Sequence, residues 1–292
     1  MPTVMSSGPE STGRPEVARA LLGGRLRALR ETQGISRGAA GRYIGCSDPK
    51  ISRIELGATT VKESDLSRLL DLYRVDRPAQ RLALLRLAGL LNAPQWWHDD
   101  RDVLPGWLCS YLVLEEFAEH IRTYETRFVP GLLQTPAYAE AVIRLHHHDE
   151  REVRRRVDVR RRRQHRILRR TRESLWAVID EAALTMQIAS PAVMREQIDF
   201  LIRATTHKSV SVQVLPTGLA AAATGGMSFS MLRLPIEKLT DVIYLEQINS
   251  AIFLDDPYDC DPYMAGWQLL MGAARKPAET LPFLRRARDA LR

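Results

Sequence analysis

The segment SDPKISRIELG, residues 47–57, combines side chains that can donate and accept hydrogen bonds with the boundaries of a short helix. Ser47 can cap the helix, a proline is tolerated in its first turn, and Gly57 can end it in a left-handed conformation. Ile51 and Ile54 share one face, and the charged side chains point elsewhere. The pattern predicts a helix that is anchored by two isoleucines and presents polar groups at its N-terminal end.

These polar groups match the donors and acceptors on the edges of DNA bases. Lysine and arginine can donate to O6 and N7 of guanine, and aspartate can accept from N4 of cytosine. Pro49 cannot form a hydrogen bond with a base and would contribute only an apolar contact, for example with a thymine methyl group. The candidate contacts in this segment are Ser47, Asp48, Pro49, Lys50, Ser52 and Arg53.

A second helix precedes this segment at the distance typical of a helix-turn-helix. In ISRGAAGRYIG, residues 35–45, Ser36 can cap the helix, Ala39 and Ala40 allow another helix to approach, and Gly45 permits a tight turn. Two short helices joined by a glycine-containing turn of about three residues form a helix-turn-helix. The second helix of such a unit enters the DNA major groove.

Three more amphipathic patterns complete a bundle around these two helices. Leu22, Leu26 and Leu29 recur at helical spacing, and SDLSRLLDLYRV and PAQRLALLRLAGLL carry leucines in the same way. We therefore predict an all-α domain of five helices over residues 17–90. A polar arm rich in Ser, Pro and Gly precedes it, and we predict that residues 1–16 are disordered.

Positive charge is concentrated in two parts of the chain. The net charge of the protein is +7, whereas residues 1–90 carry +6 and residues 151–172 carry +10, so the remainder is acidic. Concentrated positive charge favours a polyanion or an acidic partner. A polar helix face can also be merely solvated, but the complete helix-turn-helix and its basic balance favour DNA binding.

The segment LRALRETQGISRGAAGRYIGCSDPKISRIELG resembles the Xre/Cro-type helix-turn-helix of bacterial transcriptional regulators. The family's alanine, turn glycine, serine before the recognition helix and SRIE-x-G ending are all present. The resemblance implies that the start of the second helix, Ser36 and Arg37 here, clamps a phosphate. Relatives often have glutamine where Arg37 stands, and arginine favours phosphate contact over side-chain bracing. Lys62 is a further candidate DNA contact.

The second half of the chain predicts an α+β domain with a largely antiparallel sheet over residues 110–292. LNAPQWWHDDRDVLPGW interrupts the helical pattern and predicts a linker over residues 91–109. LWAVID, SVSVQVLP, SFSMLRLP and DVIYLEQIN have the alternation or apolar runs of strands, and helical patterns lie between and after them. A helical stripe is predicted at Leu114, Phe117, Ile121 and Tyr124.

Five motifs of this half resemble, in order, the C-terminal domain of actinobacterial regulators of the WhiJ-like group. They are YETRFVPGLLQTPAYA, RRRRQHRIL, AVIDEAAL, VMREQIDFL and VSVQVLP. The resemblance implies a transcriptional regulator that is often paired with a small BldB-like partner protein. The domain is poorly characterised in that group, so the resemblance implies no particular ligand.

REVRRRVDVRRRRQHRILRR, residues 151–170, predicts one long arginine-rich helix with a thin apolar seam. Its charge could contact DNA phosphates, dock a small acidic partner, or form a solvated and internally paired face. Its distance along the chain from the recognition helix slightly favours the partner. The candidate contacts are Arg160, Arg161, Arg162 and Arg163.

Other reactive residues lack the neighbours that catalysis or metal binding requires. The consecutive residues His146–His148 cannot all ligate one ion from a helix. Trp96, Trp97 and Trp107 could stack a ligand, but such tryptophans more often pin a linker to a domain. The sequence contains no nucleophile elbow, phosphate-binding loop, dinucleotide fingerprint or HExxH motif. We therefore predict no enzymatic activity, metal or cofactor.

The composition favours a reduced, cytoplasmic protein, since three cysteines form no CxxC pair and neither a membrane span nor a signal peptide is apparent. We predict a nucleoid-associated, sequence-specific, DNA-binding transcriptional regulator that binds an inverted-repeat operator as a homodimer. A small-molecule ligand or a small partner protein would control it through the C-terminal domain. The alternative is a protein-interaction adaptor whose helix-turn-helix binds protein rather than DNA.

Overall fold

A computed structural model of the protein describes residues 3–6, 15–218, 225–237, 239 and 241–291. Contacts within the chain divide these residues into two compact units. The N-terminal unit comprises the described residues of Thr3–Ala118 and Leu234–Leu239, and the C-terminal unit comprises those of Glu119–Arg233 and 241–291.

The arm that the sequence predicts to be disordered, residues 1–16, lies largely outside the described residues. Its described part contains a short strand, β1, at Thr3–Ser6, and the first helix already begins at Glu16. Residues 7–14 are among those outside the description.

The N-terminal unit contains the five-helix bundle that the sequence predicts. Every residue from 15 to 92 is described, and a short 3-10 turn at His98–Asp100 and a sixth helix, α6 (Gly106–Phe117), follow the bundle. The bundle helices are α1 (Glu16–Thr32), α2 (Arg37–Ile44), α3 (Asp48–Glu55), α4 (Glu63–Leu72) and α5 (Pro78–Asn92).

Local sequence sets the boundaries of α2 and the turn after it. Ser36 caps α2, because its Oγ accepts a hydrogen bond from the amide of Ala39 at 3.1 Å. Gly45 ends α2 in a left-handed conformation with φ of 76°. The amide of Cys46 then donates to the carbonyl of Gly41 at 2.8 Å. A Cβ on Gly41 would lie 2.6 Å from the carbonyl oxygen of Cys46, so the turn requires glycine there.

Two adjacent glycines of α1 face different surroundings. A Cβ on Gly23 would lie 2.4 Å from the carbonyl oxygen of Ile54 and 2.6 Å from that of Glu55. A Cβ on Gly24 would meet no atom within 4 Å among the described residues. Helix α1 therefore packs against the end of α3 at a separation that only glycine permits.

Gly23→Ala and Gly24→Ala should change stability in opposite directions. Gly24→Ala should stabilise α1 by up to about 1 kcal/mol, because alanine is the better helix former. Gly23→Ala gains the same propensity but must push α1 away from α3, which should leave a net loss of about 1–2 kcal/mol. Hydrogen exchange of the α1 amides in the full-length protein measures both changes. Equal effects of the two substitutions would contradict the close packing.

The tryptophans of the predicted linker, residues 91–109, are built into the fold. Trp97 is 0% exposed and Trp107 is 6% exposed. The rings of Trp96 and Trp97 meet edge to face with their centroids 5.1 Å apart. This burial supports the interpretation that they anchor the segment rather than stack a ligand. Burial also raises the pKa of Cys109 to about 11, so its thiol stays neutral near pH 7.

The helical stripe predicted from Leu114 to Tyr124 is wrong in its second half. Helix α6 ends at Phe117, and the next residue is extended with ψ of 139°. Residues His120–Glu125 form strand β2 instead. Ile121 and Tyr124 therefore point to opposite faces of a strand. The sequence HIRTYE contains the β-branched and aromatic residues that favour this conformation.

The C-terminal unit contributes six strands to a mixed sheet, in the order β7-β6-β5-β2-β3-β4. Its strands are β2 (His120–Glu125), β3 (Leu175–Asp180), β4 (Val210–Leu215), β5 (Phe229–Arg233), β6 (Val242–Glu246) and β7 (Ser250–Leu254). Its helices are α7 (Pro136–Ile143), α8 (Glu150–Leu168), α9 (Ala182–Thr185), α10 (Pro191–Ala204), α11 (Pro257–Ala273) and α12 (Pro277–Ala290).

The predicted α+β class is confirmed, and the six strands of the C-terminal unit form three antiparallel and two parallel pairings. The parallel pairs are β2–β3 and β3–β4, whose connections run through helices, as parallel pairing requires. Strands β2, β5, β6 and β7 are paired antiparallel in that order. Tyr124 and Phe229 on the sheet pack with Trp267 of α11 in the core. The buried carboxylate of Asp241 pairs with Arg122 of β2 at 3.1 Å and with Arg233 of β5.

Candidate nucleic-acid interface

Helix α3 turns its apolar face into the N-terminal unit and its polar residues outward. Ile51 is 1% exposed and Ile54 is 4% exposed, so both anchor the helix in the bundle. All nine residues that the sequence marks as candidate DNA contacts in this unit are at least partly exposed. Ser36, Arg37, Ser47, Asp48, Pro49, Arg53 and Lys62 are exposed, and Lys50 and Ser52 are half-buried.

A buried ion pair fixes α3 against α1. Arg30 donates from Nε to Oε1 of Glu55 at 2.6 Å and from Nη2 to Oε2 at 2.9 Å. Its Nη1 donates to the carbonyl oxygen of Ile35 at 2.7 Å. The two charged side chains are 8% and 5% exposed, and their hydrogen bonds raise the pKa of Arg30 above its ordinary value. One guanidinium therefore joins α1, the turn before α2, and α3.

The chain after α3 is also held directly against α1. Gly57 has φ of 70°, and a Cβ there would lie 2.6 Å from the amide nitrogen of Ala20 and 2.8 Å from its Cα. The amide of Gly57 donates to the carbonyl of Ile54 at 3.0 Å, and that of Ala58 donates to Arg53 at 2.9 Å. Backbone packing therefore fixes the position of the C-terminal end of α3.

Arg37 contacts α3 in the free protein, a bracing that the sequence did not favour, and its phosphate contact stays a prediction. Its Nη1 donates to Oγ of Ser52 at 3.2 Å, and its Nε lies 3.6 Å from Oδ1 of Asp48. Asp48 and Ser52 lie one turn apart on α3, so both acceptors are within reach of one guanidinium. The side chain of Arg37 is still 49% exposed, and its five N–H donors exceed what these contacts use.

The remaining candidate residues differ in how they are held. Nζ of Lys50 lies 3.7 Å from Oδ2 of Asp65 on α4. Ser47 occupies the position before α3, but its side chain forms no capping hydrogen bond, unlike that of Ser36 before α2. Lys62 is exposed immediately before α4. The hydroxyl of Ser47 is therefore not used to cap its own helix.

Two contacts in this unit were not predicted from the sequence, an exposed one at Tyr43 and the buried one of Arg30. Tyr43 of α2 is 44% exposed, and the guanidinium of Arg68 lies 5.4 Å from its ring centroid. These residues are 25 positions apart, so no local pattern connects them. Arg30 did leave a signal, because it follows Leu22 and Leu26 at the spacing of the buried stripe. A charged residue at such a position indicates a buried partner.

The arginines of α8 divide between two faces, so Arg160 to Arg163 are not equivalent. Nη1 of Arg160 donates to Oε1 of Gln134 at 2.5 Å. Guanidinium nitrogens of Arg160 and Arg163 both lie within 4 Å of where a Cβ on Gly131 would stand, at 3.9 and 3.8 Å. These two arginines therefore face the interior of the C-terminal unit.

The charge on this inward face has partners within the C-terminal unit. Burial, and then the neighbouring Glu246, raises the pKa of Glu125 at the end of β2 to about 8, against the lowering effects of Ser228 and Arg160. Burial, and then Arg163, lowers the pKa of Arg160 to about 10. Arg160 thus belongs to an internal polar cluster, as the third interpretation of the arginine-rich helix proposed.

Arg161 and Arg162 differ from these inward residues. The side chain of Arg161 is 66% exposed and lies 3.2 Å from Oδ1 of Asp158. Arg162 is half-buried. Of the four candidate arginines, Arg161 is therefore the most accessible to a partner.

The histidine triplet and the apolar helices add no further site in the part of the chain that the structure describes. Nδ1 of His147 lies 2.9 Å from Oε1 of Glu152. No group of three or more histidine, cysteine, aspartate or glutamate side chains converges there as metal ligands would. None of the described helices combines the length and apolarity needed to cross a membrane.

Comparison with known protein families agrees with the two-part organisation of the chain. A family described as a helix-turn-helix domain matches residues 21–89, which contain α2 and α3. A family described as a domain of unknown function, DUF5753, matches residues 108–286, more than half of the chain. No curated protein and no solved structure matches this chain. The protein therefore carries a helix-turn-helix domain, which suggests a DNA-binding regulator, and belongs to the DUF5753 family.

Proposed function

We propose that the protein is a sequence-specific transcriptional regulator of the Xre/Cro type that places α3 in the DNA major groove. The observation that carries the proposal is the orientation of α3. Its isoleucines are buried, while the polar residues at its N-terminal end are accessible. A recognition helix meets base edges with its N-terminal residues.

The accessible side chains have distinct roles in this proposal. Arg53 and Lys50 donate to guanine, and Asp48 accepts from cytosine. Ser36, Arg37 and Lys62 contact phosphates, with the N-terminal end of α2 adding its positive dipole. Arg37 also contacts Asp48 and Ser52 of α3, and its remaining N–H donors stay available for a phosphate.

Arg53→Ala should cost about 1–3 kcal/mol of binding free energy on the preferred duplex and flatten the preference at one base pair. Arg37→Ala should weaken all sequences nearly alike, because phosphate contacts carry no sequence information. Titration against a panel of single-base-pair variants of the preferred site measures both effects. Arg27→Ala, which removes an exposed arginine of α1, is the matched control and should leave the panel unchanged. The reverse assignment of Arg37 and Arg53 would reject this docking register.

We further propose that the protein binds as a homodimer to an inverted repeat. Xre-type helix-turn-helix modules usually act in pairs, and two-fold symmetry places half-sites about 34 Å apart or a multiple of that distance. A nuclease footprint on the preferred promoter tests this directly. Protection of a single, non-repeated element would contradict it.

The C-terminal unit is the proposed controlling part of this nucleoid-associated, cytoplasmic regulator. The WhiJ-like resemblance supports control by a small BldB-like partner, and a small-molecule ligand is the second candidate. The competing function is an adaptor whose helix-turn-helix binds protein. DNA binding should weaken steeply with salt, with a log–log slope near −0.9 for each phosphate neutralised. Failure to retard any promoter fragment at low salt would favour the adaptor.

A further inference from the structure

The outward face of α8 carries a continuous row of positive charge, which we call the outward stripe. It consists of Arg151, Arg154, Arg161 and Arg169, all of them exposed. Their spacings of three, seven and eight residues place them on one side of the helix. At a rise of 1.5 Å per residue, the stripe extends over about 27 Å.

Few carboxylates offset this charge. Among the exposed residues of the same face, Glu150 and Asp158 are acidic; Glu150 pairs with Arg144 at 2.7 Å and Asp158 pairs with Arg161 at 3.2 Å. Arg151, Arg154 and Arg169 form no ion pair with described residues. The inward Arg160, by contrast, contacts Gln134 and is held near Glu125.

The composition of the stripe favours a polyanion over a folded acidic protein. The other exposed residues of this face, Glu150, Asp158 and His165, are polar, so the face offers no aromatic or aliphatic anchor. Hot spots of protein interfaces combine arginine with tryptophan and tyrosine in well-packed, desolvated pockets. The phosphate backbone of duplex DNA needs no such anchor, because it carries one negative charge per about 1.7 Å and is bound through guanidinium groups.

We propose that the outward stripe is a second DNA-binding surface, which contacts the phosphate backbone of duplex DNA without reading its sequence. This proposal deepens the proposed function and rests on that function for the biological role of the stripe. The affinity of the stripe for duplex DNA does not itself depend on α3. Each arginine supplies a bidentate donor pair to a phosphate. The stripe therefore adds affinity and salt dependence while α3 supplies sequence preference.

The experiment uses full-length protein and titrates a labelled 30-base-pair duplex of random sequence, and the preferred site, at several salt concentrations. The stripe variant is R151Q/R154Q/R161Q/R169Q. The log–log salt slope should become shallower by about two to four, and affinity at 50 mM salt should fall at least about tenfold on both duplexes. The order of preference among sequences should not change.

Two comparison variants separate this result from general loss of charge and from loss of α3. R203Q/K208Q/R285Q/R286Q removes the same charge from exposed positions elsewhere in the C-terminal unit and should change the slope by less than one. K50Q/R53Q on α3 should abolish sequence preference but retain stripe-dependent binding to random duplex. Circular dichroism confirms that each variant is folded.

Equal slopes for the stripe and control variants would overturn the proposal and leave the proposed function standing. The proposal would also be overturned if the stripe variant bound DNA as the parent does and lost only a complex with an acidic protein. If the parent protein binds duplex DNA through the stripe but prefers no sequence, the proposed function is rejected and the stripe proposal stands. A parent that binds no duplex at low salt would reject both.

Discussion

Glu55→Ala should lower the free energy of unfolding of the N-terminal unit by about 3–5 kcal/mol. The reason is that Arg30, 7% exposed, would remain buried without the carboxylate that accepts two of its hydrogen bonds. Arg30→Ala should cost a similar amount by leaving Glu55 unpaired. Hydrogen exchange of the α1 and α3 amides in the full-length protein measures the loss.

The exposed pair Arg27–Glu31 on the same helix provides the control. Its atoms are as close, at 2.8 Å, but its side chains are 58% and 51% exposed. Arg27→Ala should therefore leave the exchange rates nearly unchanged, since water screens exposed pairs. Glu31 is left in place because its Oε1 also lies 3.5 Å from Nη2 of Arg30. A paired Arg30→Met and Glu55→Leu replacement should restore much of the stability. If the single and paired replacements were equally damaging, the unpaired charge would not be the cause.

Gly57→Ala should destabilise the N-terminal unit by about 2–5 kcal/mol. Two costs combine, because a left-handed conformation costs alanine about 1–2 kcal/mol and overpacking adds about 1–3 kcal/mol. The overpacking arises against the backbone of Ala20, which cannot rotate away as a side chain would. Urea denaturation of the full-length protein, followed by exchange of the α3 amides, measures the effect.

Gly34→Ala isolates the conformational part of this cost. Gly34 has φ of 65°, close to that of Gly57, but a Cβ there would meet no described atom within 4 Å. It should therefore show only the cost of the left-handed conformation, about 1–2 kcal/mol. Equal losses at Gly34 and Gly57 would mean that α1 can shift to admit a methyl group.

The helix-turn-helix could be predicted from the sequence because its determinants are local. Ser36, Gly45 and Ser47 mark helix boundaries within a few residues, and Ile51 and Ile54 mark the buried face. The bracing of Ser52 by Arg37 could not be predicted, because it depends on how closely α2 and α3 pack. Sequence spacing shows which side chains share a face but not which side chains of another helix they meet.

The C-terminal unit was harder to predict for three physical reasons. Strand β2 follows α6 so closely that apolar residues of both elements happen to fall at helical spacing. Strand β7 was not identified, because SAIFL is too short and too uniformly apolar to show alternation. The two faces of α8 were also missed, because neighbouring arginines look identical until their partners from distant strands are known.

The hydrogen bonds of Arg30 to Glu55 and Ile35 have a consequence for how α3 meets a partner. They join α1, the α1–α2 turn and α3 in the free protein, so the helix need not become ordered when DNA arrives. A preorganised helix avoids the entropy loss that a mobile one would incur on association. Binding should thus proceed with little backbone rearrangement in this unit. On the proposed function, the same rigidity limits adaptation, so a DNA site with an altered groove shape should be rejected rather than accommodated.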